Sequence, residues 1–265
     1  AEAAGKIFDD IEFFANYGFN KCVVGSTLII DADTGRRVTV EDLFNGREIV
    51  THTLSCDTDT LRLLPKRITD VMANGVKPVY TLTTQTGRTI TATDNHPFYT
   101  FDGWRNLGEL KIGDKVAVPR RIPLHGQNTW EDHEVIVLGH LLAEGNLCHP
   151  TGIYYYTGNT EQWRDYVYNL GKFDNTVAST HERRGMYDVY SKRIQRSKVA
   201  GVVEWIERLG LRNHDSYTKF IPDEVMQLSD RQLSLLVARM WEGDGHINLK
   251  GRSAYYATSS VRLAY

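Results

Sequence analysis

The chain has 265 residues, 41% of them hydrophobic and 24% charged, a composition typical of soluble globular protein with room for roughly two domains. A formal net charge of −2 excludes nucleic-acid binding through overall charge, so any such binding must use a local basic cluster. Three cysteines are too few for a disulfide scaffold and indicate a reducing, cytoplasmic location. No apolar run approaches the ~20 residues of a membrane helix, so no membrane partner is expected.

Residues 1–17 are predicted to form an amphipathic helix. Their apolar side chains recur at helical spacing and Gly18 is a natural stop; the apolar positions are Ile7, Phe8, Ile11, Phe14 and Ala15.

Cys22 lies between this segment and a strand-like apolar run. Such a thiol is either a small buried residue, as most free cysteines are, or a nucleophile acting on the Lys21–Cys22 peptide bond.

The sequence changes character twice after Cys22. From residue 23 to about 119, short β-branched runs alternate with turn signals, which predicts an all-β region. A polar joint, "PRRIPLHGQN", follows at 119–128. Beyond it, apolar helices are predicted at about 131–144, 197–209 and 229–242, with aromatic strands such as "GIYYYT" and "MYDVY" between them. The chain is therefore predicted to be multidomain, all-β and then α/β.

The stretch "GRTITATDNHPFYT" at 87–100 contains a hydroxyl and an imidazole three residues apart. It predicts a strand up to Ala92 and a turn on which Thr93 and His96 point into one pocket. A thiol nucleophile needs a nearby base, and such a pair supplies acid–base assistance. Judged alone, His96 is better explained as a turn histidine that bonds locally.

Three segments in order resemble the N-terminal part of an intein. They are "CVVGSTLI" from Cys22, "GRTITATDNHPF" about 70 residues later, and "WRNLGELKIGDKV" soon after. In that family the first residue is Cys or Ser, and a Thr-x-x-His motif follows. The resemblance implies a splicing domain, N-terminal part, over 22–122, with the horseshoe-like β fold shared with hedgehog autoprocessing domains.

The resemblance also implies a reaction. Residues 1–21 would be a short helical N-extein, and the Cys22 thiol would attack the carbonyl of Lys21 to form a thioester. His96 would protonate the departing amide nitrogen, and Thr93 would hold the geometry. This chemistry is nucleophilic catalysis with acid assistance, and no cofactor is expected.

The host protein is suggested by the first segment. "FFANYGFNK" resembles the bacterial DNA polymerase III alpha subunit, in which the residue after the insertion would be Ser. An unrelated helical leader is the alternative.

Two stretches 100 positions apart echo each other. "VLGHLLAEGN" (137–146) and "VARMWEGDGH" (237–246) each predict a helix that ends in an acid followed by Gly, the acids being Glu144 and Asp244. An acid is mildly unfavourable at a helix C-terminus because of the helix dipole. Paired carboxylates that bind divalent cations for phosphodiester hydrolysis would explain both.

The echoed stretches resemble the motifs of LAGLIDADG homing endonucleases. The resemblance implies an α/β endonuclease domain over 123–265, with Glu144 and Asp244 as Mg²⁺ ligands and double-stranded DNA as the partner. The two helices would pack through small residues; the candidates are Gly139, Ala143, Ala238 and Gly243. Family members often use a lysine near the acids, and Lys192 and Lys250 are both candidates.

A basic cluster is expected to bind the DNA phosphates. It carries a net charge of +5 and consists of Arg183, Arg184, Lys192, Arg193, Arg196 and Lys198, opposed only by Asp188. The alternative is an ordinary solvated face. Neighbouring tyrosines favour a packed sheet with basic side chains pointing outward.

The sequence ends about twenty residues after the second acid motif, without the terminal His-Asn that asparagine cyclisation needs. The endonuclease domain is then expected to be incomplete at its C-terminal end, and this chain alone is not expected to splice. It is either the N-terminal piece of a split intein, whose partner is a complementary C-terminal intein fragment, or part of a longer chain. A hedgehog-type autoprocessing domain would explain Cys22, Thr93 and His96 but not the two acids. A DNA-binding module with inactive endonuclease motifs is the third interpretation.

Overall fold

A computed structural model describes residues 6–8, by their backbone alone, together with 21–123 and 126–264. The chain divides into two compact units, Ala1–His125 and Gly126–Tyr265. Within the described ranges, none of the helices has the length and apolar character that crossing a membrane requires.

The first unit is built from antiparallel pairs of short strands. The pairs are β1 (Lys6–Phe8) with β6 (Asp70–Met72), β2 (Leu28–Ile30) with β3 (Arg37–Thr39), β4 (His52–Asp57) with β5 (Arg62–Arg67), β7 (Tyr80–Thr83) with β8 (Thr89–Ala92), and β9 (Pro97–Thr100) with β10 (Gly103–Asn106). One short helix, α1 (Val40–Phe44), follows β3, and a 3₁₀ turn, Leu107–Glu109, follows β10. The predicted all-β region is therefore strand-rich in the structure.

The helix predicted over residues 1–17 is wrong at residues 6–8. These residues form β1, in which Ile7 is paired with Val71 of β6. The backbone groups of β6 offer a partner that the local sequence does not reveal, and β-branched and aromatic residues suit a strand. Tertiary pairing therefore overrides the helical spacing. Residues 1–5 and 9–20, which hold the remainder of that predicted helix and the polymerase-like stretch up to Asn20, lie outside the described residues.

The second unit contains a four-stranded antiparallel sheet and the helices that pack against it. The strands run in the order β11 (Gly145–Asn146), β12 (Tyr154–Thr157), β14 (Met186–Arg193) and β13 (Thr176–Arg183). The helices are α2 (Asp132–Glu144), α3 (Thr160–Leu170), α4 (Gly201–Arg208), α5 (Asp230–Asp244) and α6 (Val261–Ala264). A 3₁₀ turn, Asp223–Gln227, precedes α5, and a hairpin of β15 (Gly245–Asn248) and β16 (Ser253–Tyr256) follows it.

Helix α3 has no counterpart among the sequence predictions. Its start is fixed by Asn159, whose Oδ1 accepts hydrogen bonds from the backbone N–H groups of Glu161 and Gln162. Asparagine is a preferred residue for this capping role. Helix α4 starts at Gly201, later than the 197 predicted, because residues 197–200 belong to the loop that follows β14.

The core of the second unit forms around α2. Eight consecutive residues of this helix, 135–142, are buried, so the helix is enclosed on all sides. Tyr155 and Val189 of the sheet and Tyr166 of α3 belong to the same core. Burial on every side explains why the helix lacks a polar face in the sequence.

Helices α2 and α5 pack against each other through glycine. A Cβ atom placed on Gly139 would lie 2.6 Å from Arg239 Cβ, and one on Gly243 would lie 2.6 Å from Ala143 Cβ. Gly139, Ala143 and Gly243 therefore lie in the helix interface, as predicted. Ala238 is exposed and lies outside the interface. It directly precedes Arg239, and because successive side chains of a helix point in different directions, its side chain points away from α2.

Candidate active sites

The chain around Cys22 runs antiparallel to the end of β8. Val23 forms a bridge with Ala92, the N–H of Val24 donates to the carbonyl of Thr91 over 3.2 Å, and the N–H of Thr93 donates to the carbonyl of Cys22 over 3.0 Å. This pairing brings together residues that are 71 positions apart in the sequence. It places Cys22 beside the turn that carries Thr93.

Thr93 contacts the nitrogen of the Lys21–Cys22 peptide bond. Its Oγ accepts a hydrogen bond from the N–H of Cys22 over 3.0 Å and donates one to the carbonyl of Cys22 over 3.4 Å. Cys22 is fully buried and Thr93 is 3% exposed. The hydroxyl is therefore held against this bond in a place that water does not reach.

His96 lies on the same turn, where its N–H donates to the carbonyl of Thr93 over 3.0 Å. Its Nδ1 is buried, and no hydrogen-bond partner for that atom is found among the described residues. Burial, together with the nearby Lys21 ammonium, lowers the pKa of His96 to about 4. The imidazole is therefore neutral near neutral pH.

Lys21 and Asn74 are two further neighbours of Cys22 among the described residues. Lys21 is 9% exposed, and burial lowers the pKa of its side chain. Asn74, in the loop after β6, donates from Nδ2 to Sγ of Cys22 over 3.4 Å. The sequence did not indicate Asn74, because nothing in the pattern of its loop distinguishes a side chain that contacts a thiol 52 positions away.

The two predicted acids meet at the ends of α2 and α5. A Cβ atom on Gly243, next to Asp244, would lie 3.4 Å from Cγ of Glu144. Burial and the negative charge of Asp244 raise the pKa of Glu144. The hydroxyl of Tyr256 donates to Oδ2 of Asp244 over 3.3 Å. The structure thus brings together two carboxylates that are separated by 100 positions in the sequence.

Each acid is followed by a glycine for a steric reason. Gly145 ends α2 and begins β11, and Gly245 ends α5 and begins β15. A Cβ at Gly145 would clash with the backbone of Leu141, and one at Gly245 with Trp241. The chain turns from helix to strand so tightly that it leaves no room for a side chain.

The lysine beside the acids is Lys219, which the sequence analysis did not select. It is 3% exposed, and its Nζ donates to the carbonyls of Leu141 over 2.9 Å and of Leu142 and Ala143 over 3.3 Å each. Burial lowers its pKa to about 8, while the charges of Asp244 and Glu144 oppose that shift.

The two lysines that the sequence analysis did select are exposed, Lys192 at the end of β14 and Lys250 in the turn between β15 and β16. A signal for Lys219 did exist, since it directly precedes the apolar pair Phe220–Ile221, an uncommon setting for a solvated lysine.

The residues at the helix ends suit a cation that prefers oxygen ligands. Within the described ranges, no group of three or more His, Cys, Asp and Glu side chains could hold a metal ion. Mg²⁺ does not need such a cage, since it keeps several waters and is usually bound by one or two carboxylates and a substrate phosphate. Glu144 and Asp244 therefore fit Mg²⁺ better than they fit Zn²⁺.

The predicted basic cluster is divided in the structure, although all six side chains are exposed. Arg183 and Arg184 lie at the turn between β13 and β14, whereas Arg193 pairs with Thr176 at the other end of that hairpin. Arg183 lies seven positions along the strand from Thr176, or roughly 24 Å away. Lys192 lies beside Arg193, and Arg196 and Lys198 lie in the loop that follows β14. The cluster is thus two groups, one at each end of the hairpin.

Tyrosines occupy much of the sheet face between the two groups. Tyr154 stacks on Tyr156 and on Tyr190, with ring centroids 6.3 Å and 5.5 Å apart. These side chains point away from Tyr155, which is buried in the core. The prediction of basic side chains on the outward face is therefore met by Lys192 and Arg183, and aromatic rings fill the middle.

Comparison with known proteins places these features in context. The chain matches the family model of the intein splicing domain over residues 29–240, a stretch that Cys22 precedes. The replicative DNA helicase DnaB of Synechocystis sp. is 33% identical over 254 residues, which cover 92% of this chain and 29% of that protein. DnaB of Rhodothermus marinus is also 33% identical over 254 residues, with 92% and 27% covered.

Among solved structures, the crystal structure of the Ssp DnaB mini-intein variant M86 is 39% identical, with 39% of this chain and 63% of that chain covered and a TM-score of 0.36. This chain spans less than a third of the length of the two curated helicases.

Proposed function

Because the chain belongs to the intein splicing domain family, whose activity is protein splicing, we propose that Cys22 starts the reaction with an N–S acyl shift at Lys21. The family match supports the intein and hedgehog type of splicing fold for the chain, and we assign that fold to the first unit. One observation carries the proposal: the N–H of Cys22 is hydrogen-bonded to Thr93 Oγ beside a buried thiol. A buried N–H needs an acceptor in any fold, and here the acceptor is a side-chain hydroxyl that lies against the nitrogen that would leave in the acyl shift.

The acyl shift exchanges one bond for another at the carbonyl carbon of Lys21. The Cys22 sulfur forms a bond to that carbon, the carbon–nitrogen bond breaks, and the thiol proton ends on the freed Cys22 amine. His96 would relay the thiol proton to the nitrogen, and its low pKa makes the imidazolium a strong donor in the second half of that relay. Thr93 holds the nitrogen in place as it loses its planar amide geometry.

A thiol-cleavage assay tests the proposal. Dithiothreitol should release a peptide that ends at Lys21, and EDTA should not slow the release, because the step uses only side chains of this chain. Cys22→Ala should abolish the release, and His96→Ala should slow it by roughly 10²–10⁴-fold. Release at the normal rate from Cys22→Ala would show that the nucleophile is another group.

We further propose that the released segment belongs to a host related to the DNA polymerase III alpha subunit, on the strength of the stretch "YGFNK". When this chain is joined to or mixed with a C-terminal intein segment ending in His-Asn and followed by Ser, the spliced product should read "YGFNKS". Mass spectrometry of the product identifies the junction. A ligated product with the junction elsewhere would place the N-extein boundary at another residue.

For the second unit we propose a LAGLIDADG-type DNA endonuclease, because Glu144 and Asp244 meet at the ends of two helices packed through glycine. A bound Mg²⁺ would supply a Lewis acid for the scissile phosphate. The two carboxylates would hold it, and the glycines at the helix interface set the distance between them. Lys219, held by the carbonyls at the end of α2, would keep a positive charge beside the phosphate.

DNA would lie against the outward face of the sheet. The two basic groups are spaced to contact phosphates at separate points, and the tyrosines between them offer flat surfaces to the groove. Because phosphate contacts release counterions, binding should weaken steeply with salt. Arg183→Gln and Lys192→Gln should each reduce the slope of log K against log salt by about 1, since each neutralises one contact on this face.

Cleavage is tested separately from binding. With target DNA and Mg²⁺, Asp244→Asn should abolish cutting and keep binding, whereas Asp230→Asn, at the opposite end of the same helix, should leave both unchanged. Salt-sensitive binding without cutting by the unaltered chain would favour the DNA-binding module with inactive motifs.

A further inference from the structure

Asn74 is the side chain that reaches the sulfur of Cys22. It lies in the loop between β6 and β7, is partly buried, and is followed by Gly75, whose φ of +67° allows the chain to turn there. Its Nδ2 donates to Cys22 Sγ over 3.4 Å. Thr93, by contrast, contacts the backbone of Cys22. The two residues therefore act on different atoms of the same cysteine.

An amide donor at sulfur has a chemical consequence. The thiolate is the nucleophile, and a hydrogen bond to the charged form of a group favours that form. Cys22 is fully buried, so water cannot stabilise the charge that develops on Sγ. The donor also fixes the direction of the sulfur, because the amide group is planar and held on a turn.

We propose that Asn74 is a catalytic residue of the acyl shift, stabilising and orienting the Cys22 thiolate through its side-chain amide. The proposal rests on the acyl shift proposed above. Asn74 gains and loses no proton in the step; it donates to the sulfur before attack, and the bond weakens once the sulfur carries the acyl group. Lys21 and His96 share this pocket, and Lys77 lies on the same loop as Asn74.

The test is the rate of dithiothreitol-induced release of the Lys21 peptide between pH 6 and 9.5. Asn74→Ala should slow release by about 10- to 100-fold near pH 7, the size expected for a hydrogen bond to a charged group. The deficit should shrink as pH rises, because alkaline solution favours thiolates in general and so replaces the contribution of the donor. Asn74→Asp keeps the volume but puts a negative charge against the sulfur, so it should be slower than Asn74→Ala. The matched control is Asn45→Ala, an exposed asparagine in the first unit.

The pH dependence separates this role from a structural one. The window lies well above the His96 pKa of about 4, so His96 does not contribute to the change. Repeating the comparison in a Lys21→Gln background removes the other titrating side chain of the pocket. A merely structural Asn74 would give a deficit that is equal at every pH and is accompanied by a lower melting temperature, which would overturn the proposal.

The outcomes also separate this proposal from the one on which it rests. If Cys22→Ala releases the peptide at the normal rate, the acyl shift itself is wrong. If Cys22→Ala abolishes release while Asn74→Ala and Asn74→Asp match the unaltered chain at every pH, the acyl shift stands and the role of Asn74 is refuted.

Discussion

The backbone N–H of Cys22 donates a hydrogen bond to the hydroxyl of Thr93 over 3.0 Å, and both residues are buried. This contact joins Cys22 to the residue that directly follows β8. The Thr93 hydroxyl is therefore hydrogen-bonded to the nitrogen of the peptide bond that we propose to be cleaved.

Thr93→Val should slow thiol-induced release of the Lys21 peptide by roughly 5- to 150-fold. Valine has nearly the shape of threonine but no oxygen, so no hydroxyl holds the Cys22 nitrogen as it leaves, an interaction expected to contribute about 1–3 kcal/mol in the transition state. Thr93→Ser keeps the hydroxyl and should retain most of the rate. The rates are measured by mass spectrometry of the released peptide, and equal rates for the two variants would show that the hydroxyl is dispensable.

The pKa of His96 should depend on the positive charge of Lys21. Lys21→Gln should raise the pKa of His96 above its value of about 4, because the ammonium is one cause of the depression, but not to 6.5, because burial is the larger cause. NMR titration of the imidazole carbon measures this shift. Lys66→Gln, an exposed lysine on β5, is the control. An unchanged His96 titration in Lys21→Gln would show that the ammonium has no influence.

The first unit should lose stability in mild acid. His96 has a lower pKa folded than unfolded, so its neutral state stabilises the fold fully above pH 6.5, and this contribution is lost as the pH falls from 6.5 toward 4. At pH 5 the loss is about 2 kcal/mol. Hydrogen exchange of the amides in β7 and β8 at pH 7 and pH 5 measures it. His96→Gln removes the titration and should remove this part of the pH dependence.

Asp165 should be far more important to stability than Asp132, although each pairs with an arginine. Asp165 Oδ2 accepts from His140 Nε2 over 2.9 Å and from Arg239 Nε over 2.7 Å, and His140 is 2% exposed. Asp165→Ala leaves these partly or wholly buried groups without an acceptor and should cost about 3 kcal/mol.

The matched control is Asp132→Ala, which removes a largely exposed pair with Arg231 and one of the two hydrogen bonds donated by Gln232 Nε2, the bond to the carbonyl of Trp130 remaining. It should cost about 1 kcal/mol. Urea denaturation of both variants gives the comparison. Similar losses would contradict the burial argument.

Lys219→Met should destabilise the end of α2. The methionine fills a similar volume but leaves the carbonyls of Leu141, Leu142 and Ala143 without the donor that they share, at a cost of about 1–3 kcal/mol. Lys250→Met, at an exposed position, should change stability by less than about 0.5 kcal/mol. Thermal unfolding measures both, and equal effects would show that Lys219 is not a structural donor.

The sequence by itself determined the features that depend on local pattern and motif order. The order of Cys22, Thr93 and His96 predicted a splicing domain, and the family match supports that. The spacing of apolar residues predicted helices near α2 and α5, and the repeated acid–Gly reflects a turn that has no room for a Cβ atom. These features are short-range, so the pattern contains them.

Only the tertiary structure decided which distant groups touch. Residues 6–8, predicted as helix, form β1 because they pair with β6. Arg183 and Arg193, which belong to one run of basic residues in the sequence, lie at opposite ends of the β13–β14 hairpin. Asn74 reaches Cys22, and Lys219 rather than Lys192 or Lys250 lies at the acids, because loops distant in sequence fold onto the same point. Such contacts depend on the path of the whole chain, which no local periodicity records.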